Sequence, residues 1–465
     1  MNMINVRRLT VMTFLGAGML SGISAQVSPL QVDTLKETKI PDQWDLQSCI
    51  DYAKEQNITI RKNRITAAST QIDVKTAKAA LFPSLSFSTG HQVVNRPYQE
   101  TSSRVSGNEI ISSNSKTSYN GNYGLNASWT LYNGNKRLKT IQQEKLNNQM
   151  AELDVATSEN NIQESIAQVY IQILYAAESV KVNENTLQVS IAQRDRGQEL
   201  LNAGSIAKSD LAQLEAQVST DRYQLVTAQA TLEDYKLQLK QLLELDGENE
   251  MNIYLPALSD ENVLAPLPTK RDVYISALSL RPEIEASKLN VEASELGINI
   301  AKSSYFPTIS LSAGIGTNHT SGSDFTFGEQ VKNGWNNSIG LSVSVPIFNN
   351  RQTKSAVQKA KLQYETSMLS LLDEQKALYK TIESLWLDAN SAQQRYAAAN
   401  EKLKSTQISY ELISEQFNLG MKNTVELLTE KNNLLQAQQE QLQAKYMAIL
   451  NTQLLKFYQG DQLAL

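Results

Sequence analysis

The sequence is internally duplicated, and this feature constrains the fold more than any other. Three pairs of segments recur in the same order in both halves: 77–90 with 301–314, 128–133 with 344–349, and 199–204 with 415–420. One short match could arise by chance, but three in the same order indicate a structural repeat. Each half is therefore expected to contain the same elements: helix, strand, strand, long helix, turn and returning helix.

The repeats also set the expected domain boundaries. We expect the first repeat at residues 26–246 and the second at residues 271–465, joined by a linker at 247–270. The linker holds three of the ten prolines of the chain, and proline ends helices because it has no amide donor.

Four segments alternate apolar and polar residues with a period of two, which is typical of half-buried strands. They are expected at about 84–90, 119–131, 308–316 and 338–347. Their lengths suit tilted strands that cross a bilayer, although a soluble β-sandwich would give a similar alternation. Aromatic residues at the helix–strand junctions favour a membrane barrel over a sandwich, because aromatic side chains are enriched at membrane interfaces. These are Phe82, Tyr132, Phe306 and Phe348.

The connections within the two strand pairs, residues 91–118 and 317–337, are long and polar, and we expect them on the outer side. Four strands cannot close a barrel, and an open edge in lipid leaves backbone groups unpaired at a cost of several kcal/mol each. Several copies must therefore pool their strands. Eight strands from two copies would enclose only side chains, whereas more strands would leave a water-filled lumen. We favour twelve strands from three copies.

Two stretches without proline are too long for an ordinary globule. We expect long helices at about 134–203 and 349–419, each followed by a returning helix, at about 205–246 and 423–458. A helix of roughly 70 residues is about 100 Å long. Apolar residues recur at alternating spacings of three and four, as in coiled coils, but many of them are small. We interpret the helices as a single layer of paired helices that contacts water on both faces, with a solid coiled coil as the alternative.

Residues 1–25 have the pattern of an export signal. Arg7 and Arg8 precede an apolar stretch at 11–20, and small residues end at Ala25. An N-terminal membrane anchor is the alternative, but the apolar stretch is short for a membrane span.

The composition argues against several classes of protein. A net charge of -5 predicts no nucleic-acid partner. The single cysteine, Cys49, excludes an internal disulfide framework, and the two histidines, His91 and His319, leave little material for a metal or triad site. We find no nucleophile elbow or phosphate loop, and we predict no catalytic residue, no metal ligand, no cofactor and no enzyme activity.

The duplicated segments resemble those of the TolC-like outer-membrane efflux protein family. The resemblance rests on residues 78–90 and 302–314, on Arg281-Pro282-Glu283-Ile284, and on the turns at 201–204 and 417–420. It implies an α+β membrane protein: a homotrimer with a 12-stranded barrel in the lipid bilayer of the outer membrane and an α-helical barrel in the periplasm.

The same resemblance implies a function and partners. It implies an exit duct for small molecules in a tripartite efflux pump, together with a periplasmic adaptor and an inner-membrane transporter of the RND or ABC class. The outer component of a type I protein secretion system is the alternative. A coiled-coil adhesin with a β-anchor is less favoured, because the strands lie in the middle of each half rather than at one end.

The resemblance also implies functional residues at the helix tips. Acidic residues six positions after the turn glycines would narrow the periplasmic entrance, and a basic residue would form a gating link: Glu426, Asp210 and Lys422. A second acid of the family is replaced here by Thr429. A capping box between Asn423 and Glu426 is the local alternative, and both interpretations can hold together. The adaptor is expected to contact Leu201, Gly204, Phe417 and Gly420.

Overall fold

The computed structural model describes residues 41–98, 102–106, 109–113, 116–246, 251–256, 263–321 and 325–463. The predicted export signal at 1–25 lies outside the described residues, as do parts of the predicted linker.

Both repeats contain helices, two long strands and a long helix that turns into a returning helix. The first repeat consists of α1 (Leu46–Gln56), α2 (Ile58–Ala79), β1 (Ser84–Asn95), β2 (Ser102–Ser106), β3 (Glu109–Ser113), β4 (Thr117–Asn133), α3 (Lys136–Asn202) and α4 (Lys208–Leu242). The second consists of α5 (Lys270–Leu280), α6 (Pro282–Ser303), β5 (Thr308–Thr320), α7 (Phe327–Asn333), β6 (Asn336–Ser344), α8 (Gln352–Asn418) and α9 (Thr424–Gln459). The predicted combination of long helices with four long strands is confirmed.

The connections within the strand pairs contain more structure than the sequence predicts. β1 and β5 extend to Asn95 and Thr320, several residues into the predicted loops. The first connection also contains the β2–β3 hairpin, and the second contains helix α7. By contrast, β6 ends at Ser344, before the predicted limit at 347, since Pro346 has no amide to donate to a ladder.

The four long strands form one antiparallel sheet in the order β1-β4-β5-β6. The β4–β5 pair joins the two repeats, and Leu125 of β4 pairs with Phe87 of β1 and Ile315 of β5. Apolar side chains therefore form rows across one face of the sheet. Many of them are exposed in the single chain, for instance Phe87 at 68% and Ile339 at 82%.

A β-bulge changes the apolar face at one end of β4. The register with β5 shifts between Thr130 and Tyr132, so that Tyr132 pairs with Ile309 and Leu131 is left out of the ladder. A bulge places two residues opposite one and reverses the alternation beyond it. Tyr132 therefore continues the apolar row that the sequence assigns to Leu131.

The helices pack side by side in a defined order. Near the sheet, α2 packs on α3, and α6 packs between α3 and α8. Farther from the sheet, α4 packs on α3, α3 on α9, and α9 on α8. Among the helices that the structure describes, none has an apolar stretch long enough to cross a bilayer.

The main core lies where short and long helices meet. Trp44, Tyr170 and Tyr396 are each at most 2% exposed. Residue Trp44 also forms an isolated parallel bridge with Ile253 in the linker, and the Tyr170 hydroxyl donates to the Tyr254 carbonyl oxygen at 2.6 Å. Large apolar side chains buried in this way stabilise a fold by about 1.5–3 kcal/mol each.

A second core surrounds the start of α6. Arg281 is 6% exposed and forms an ion pair with Glu164 of α3 at 2.6 Å. Its guanidinium carbon lies 3.7 Å from the centre of the Tyr458 ring of α9, a cation–π contact. The arginine that contributes to the family resemblance thus connects α3, α6 and α9.

Candidate functional site

Each long helix ends in a tight turn that reverses the chain into its returning helix. In both turns a glycine has a positive φ, 73° at Gly204 and 72° at Gly420. In the first turn, the Ser205 amide donates to the Leu200 carbonyl oxygen at 2.8 Å, and the equivalent bond in the second turn has the same length. These are Schellman motifs, whose left-handed position favours glycine.

The tip of the second hairpin exposes apolar side chains. Leu419 is 76% exposed, Met421 71% and Val425 58%. From the sequence we expect Phe417 to contact the adaptor. In the structure Phe417 lies at the tip, but its side chain is only 2% exposed, because the surrounding helices cover its ring. Leu201 of the first tip is half-buried, and both turn glycines are exposed.

Glu426 uses both of its carboxylate oxygens at the start of α9. Its amide donates to Asn423 Oδ1 at 2.9 Å, and its Oε2 accepts from the Asn423 amide at 3.3 Å, which completes a capping box. Its Oε1 accepts from Lys422 Nζ at 2.6 Å. The hydrogen bond from Lys422, followed by that from the Asn423 amide, lowers the pKa of Glu426 below its ordinary value. The structure thus contains the capping box and also joins Lys422 to Glu426.

Asp210 occupies the equivalent position at the start of α4, but its surroundings differ. Its Oδ2 accepts from the Ala207 amide at 3.0 Å, while Ala207 has no side-chain acceptor to return the bond. Within the described part of the chain, Asp210 forms no ion pair. The two carboxylates therefore have different partners. Glu426 forms an ion pair with Lys422, whereas Asp210 accepts a hydrogen bond from a backbone amide.

A buried ionic cluster lies close to the tips and was missed by the sequence analysis. Lys431 of α9 forms an ion pair with Asp221 of α4 and also donates to the hydroxyl of Ser190 in α3. That hydroxyl donates to Asp221, and Gln217 donates to the other carboxylate oxygen at 2.9 Å. Burial lowers the pKa of Lys431, and the hydrogen bond from Lys431 to Asp221 opposes this shift. The cluster connects the two helical hairpins.

The spacing of residues contains a signal for this cluster. On α4, Asp221 continues the alternation of three and four residues set by Leu214 and Val218. On α9, Lys431 lies four residues after the buried Leu427. A charged residue at a seam position of a coiled coil needs a partner of opposite charge. Each of the two residues could therefore have been predicted to have a buried partner of opposite charge.

The junction aromatics lie near one end of the sheet. Phe82 is 73% exposed, Phe306 52% and Phe348 84%, whereas Tyr132 is half-buried. Nearby, Trp129 Nε1 donates at 2.7 Å to a backbone carbonyl oxygen in the turn before β1. This end of the sheet is therefore fixed to the helices and surrounded by aromatic side chains.

The chain is similar to known proteins over most of its length. The family model described as outer membrane efflux protein matches residues 49–244 and 273–460, one range in each half of the chain. The chain is 24% identical over 294 residues to outer membrane efflux protein BepC of Brucella suis, covering 63% of this chain and 61% of the relative. It is also 24% identical over 294 residues to outer membrane protein TolC of Escherichia coli, covering 61% of this chain and 58% of the relative.

Among solved structures, the fold is similar to that of the outer membrane protein VceC from Vibrio cholerae. The TM-score is 0.73 at 16% identity, and the match covers 90% of this chain and 97% of that one. The resemblance inferred from the duplicated segments is thereby confirmed. Because the family model covers both repeats, the chain belongs to the outer membrane efflux protein family.

Proposed function

We propose that three copies of the chain pool their four-stranded sheets into a twelve-stranded barrel in the outer membrane. Within the described chain, β1 and β6 each pair on one side only, and every residue of β6 is exposed. An unpaired strand edge in lipid would cost several kcal/mol for each backbone group. Pairing β6 of one copy with β1 of the next would satisfy both edges and close the ring.

The apolar face of the sheet would then contact lipid, and the junction aromatics would mark the periplasmic interface. Exposed apolar side chains on β1 and β6 support this orientation, because a soluble protein seldom leaves such a face uncovered. The rings concerned are Phe82, Tyr132, Phe306 and Phe348. On the same side, α3 and α8, each of 67 residues, would reach about 100 Å into the periplasm.

The assembled protein would act as a passive exit duct of a tripartite efflux pump that exports small molecules. One observation carries this proposal: an exposed apolar sheet with unpaired edges continues directly into helices of 67 residues. A periplasmic adaptor would connect the duct to an inner-membrane transporter of the RND or ABC class, and the transporter would supply the energy. The chain itself would perform no chemistry and hold no cofactor.

The helix tips would form the periplasmic entrance. Threefold symmetry would place Glu426 of each copy in a ring that favours cations over anions, with Asp210 as a second acidic position. The ion pair of Lys422 with Glu426 supports a role for Lys422 in setting the charge of this ring. The adaptor would contact the tips around the exposed turn glycines, Gly204 and Gly420, and beside Leu201. On the second tip, Leu419 and Met421 offer more apolar surface than the buried Phe417.

A deletion strain tests the function. Loss of the chain is expected to raise the accumulation of a fluorescent pump substrate and the susceptibility to toxic small molecules, and a plasmid copy is expected to restore both. Unchanged accumulation with loss of a secreted protein would favour the type I secretion alternative. A purified chain that stays monomeric and soluble without detergent would contradict the barrel.

A further inference from the structure

The only two histidines of the chain lie on either side of one glycine in the sheet. His91 of β1 pairs with Gly121 of β4, and His319 of β5 pairs with the same glycine from the other side. From the sequence, both histidines are expected in the outer connections, at 91–118 and 317–337. The longer strands instead bring them into register on the apolar face, the face of Phe87 and Ile315. They lie near the end of the sheet that leads into the polar connections, where the proposed barrel would leave the bilayer.

Gly121 leaves room for the two imidazole rings to approach each other. A Cβ atom at Gly121 would lie 2.6 Å from His319 Nδ1 and 3.2 Å from His91 Nδ1. Because both nitrogens are this close to one point, they are separated by less than the combined distance of 5.8 Å. Any side chain at this position would fill the space between the rings.

Aromatic side chains hold both imidazoles in place. The ring of Tyr119 stacks on His91 with 5.8 Å between centres, and that of Tyr123 stacks on His319 with 6.1 Å between centres. Phe327 of α7 packs edge-on against His319 at 4.9 Å. Tyr119 and Tyr123 flank Gly121 on the same face of β4, so the strand itself positions the two rings.

The two imidazoles differ in their hydrogen bonds, because both nitrogens of His91 have a partner and one nitrogen of His319 has none. For His91, Nδ1 lies 2.8 Å from the Tyr119 hydroxyl, and Nε2 lies 3.1 Å from Thr89 Oγ1. For His319, Nδ1 is buried and has no hydrogen-bond partner in the described chain. A buried polar nitrogen without a partner is costly, and a ligand that accepts its lone pair would remove that cost.

We propose that His91 and His319 together bind one divalent transition-metal ion of the class that prefers imidazole, such as Zn²⁺, Cu²⁺ or Ni²⁺. The ion lies above Gly121 and is bound by the Nδ1 atom of each ring. Two bonds of about 2.0–2.1 Å bridge up to about 4.2 Å, which lies within the 5.8 Å limit on the separation of the two nitrogens. Bound in this way, the ion connects β1 to β5 across β4.

The neighbouring groups fit this assignment. When His91 Nδ1 binds the ion, Nε2 carries the ring proton and donates it to Thr89 Oγ1, which fixes the tautomer and the ring orientation. Among the described residues, no group of three or more histidine, cysteine or acidic side chains could hold a metal ion. The Tyr119 hydroxyl, 2.8 Å from His91 Nδ1, is the protein oxygen placed to become a further ligand, and water would fill the remaining positions.

The test uses the full-length protein in detergent, purified without a polyhistidine tag. Zn²⁺ titration by calorimetry is expected to give one ion per chain, and bound Cu²⁺ is expected to show coupling to two nitrogens in its electron paramagnetic resonance spectrum. His91→Asn and His319→Asn should each abolish the two-nitrogen signal. Thr89→Val should weaken Zn²⁺ binding by about 10-fold, as the loss of an outer-shell partner does.

Gly121→Ala is the matched control for geometry, because it keeps both ligands and fills the space between them. It is expected to lose the two-nitrogen signal, because the new Cβ would lie too close to His319 Cε1 and the imidazole rings must move apart. Its unfolding temperature without metal is expected to fall for the same reason. Wild-type protein that binds no Zn²⁺ at micromolar concentration would overturn the proposal. Binding that survives in the His91→Asn/His319→Asn double variant would also overturn it.

Discussion

Lys431 of α9 and Asp221 of α4 form an ion pair in which the two residues are 3% and 2% exposed. The pair lies between the two helical hairpins, about 11 Å from the start of α9 at 1.5 Å per residue. Uncharged hydrogen bonds also cross between these hairpins, such as the one from Gln193 Nε2 of α3 to the Tyr410 hydroxyl of α8 at 2.8 Å. The buried pair constrains the register more strongly, because any displacement separates the charges in a medium of low dielectric.

Asp221→Asn is expected to lower the free energy of unfolding by about 3–5 kcal/mol, because it leaves the Lys431 ammonium buried without a counter-charge. Denaturant titration in detergent, followed by helical circular dichroism, measures this change. Lys402→Met is the matched control. It breaks a pair with Glu440 whose side chains are 43% and 42% exposed, and should cost at most about 1 kcal/mol.

A variant without either charge shows how much of the destabilisation comes from leaving one charge buried without its partner. Asp221→Leu combined with Lys431→Met is expected to recover most of the stability, since apolar replacements of a buried pair are often neutral. If Asp221→Asn costs no more than Lys402→Met, the buried pair has no special role.

Local patterns in the sequence predict most of the architecture. Alternation with period two identifies the four long strands, and the absence of proline identifies the long helices, because both signals depend only on neighbouring residues. The capping box from Asn423 to Glu426 is likewise contained within four residues. Even Lys431 and Asp221 are detectable one by one as charges at seam positions, although their pairing depends on how the hairpins pack.

Features set by long-range register could not be predicted in this way. The alignment of His91 with Gly121 and His319 depends on two strand pairings whose partners lie 30 and 198 residues apart along the chain. The bulge at Leu131 could not be predicted for the same reason, since only the pairing with β5 shows that β4 has one residue without a partner there. Phe417 belongs to a motif of the exposed tip, yet packing between helices determines that its ring is buried.

Gly420→Ala is expected to destabilise the second tip by about 1–2 kcal/mol, because the left-handed conformation is strained for a residue with a Cβ. A Cβ at Gly420 would meet no atom within 4 Å, so the cost comes from the backbone alone. Gly328→Ala in α7 is the control, since it too meets no atom but has no positive φ. Faster amide exchange at the second tip, with no change in α7, is the expected result.

The cap of α9 is expected to weaken at acid pH. The folded pKa of Glu426 lies below its ordinary value of 4.5, so its carboxylate contributes stability above that pH. The contribution is lost as the pH falls through the folded pKa, because protonation removes the acceptors for Lys422 and for the Asn423 amide. Protection of the first-turn amides of α9, corrected for intrinsic exchange, should therefore fall with pH in the wild type. Glu426→Gln should show a weaker dependence, and equal pH profiles would contradict this role.

If three copies of Glu426 surround the entrance, changes at the ion pair with Lys422 should alter ion flow in opposite directions. Glu426→Ala removes the negative charge and is expected to raise single-channel conductance in planar bilayers and to weaken the preference for cations. Lys422→Ala leaves the carboxylate without its partner at 2.6 Å and should strengthen that preference. Asn423→Ala serves as control, because it removes the side-chain cap and leaves both charges.

If Glu426 acts only as a helix cap, all three variants should change ion flow in the same direction. Opposite shifts in reversal potential for Glu426→Ala and Lys422→Ala would instead show that the charge of Glu426 acts at the pore.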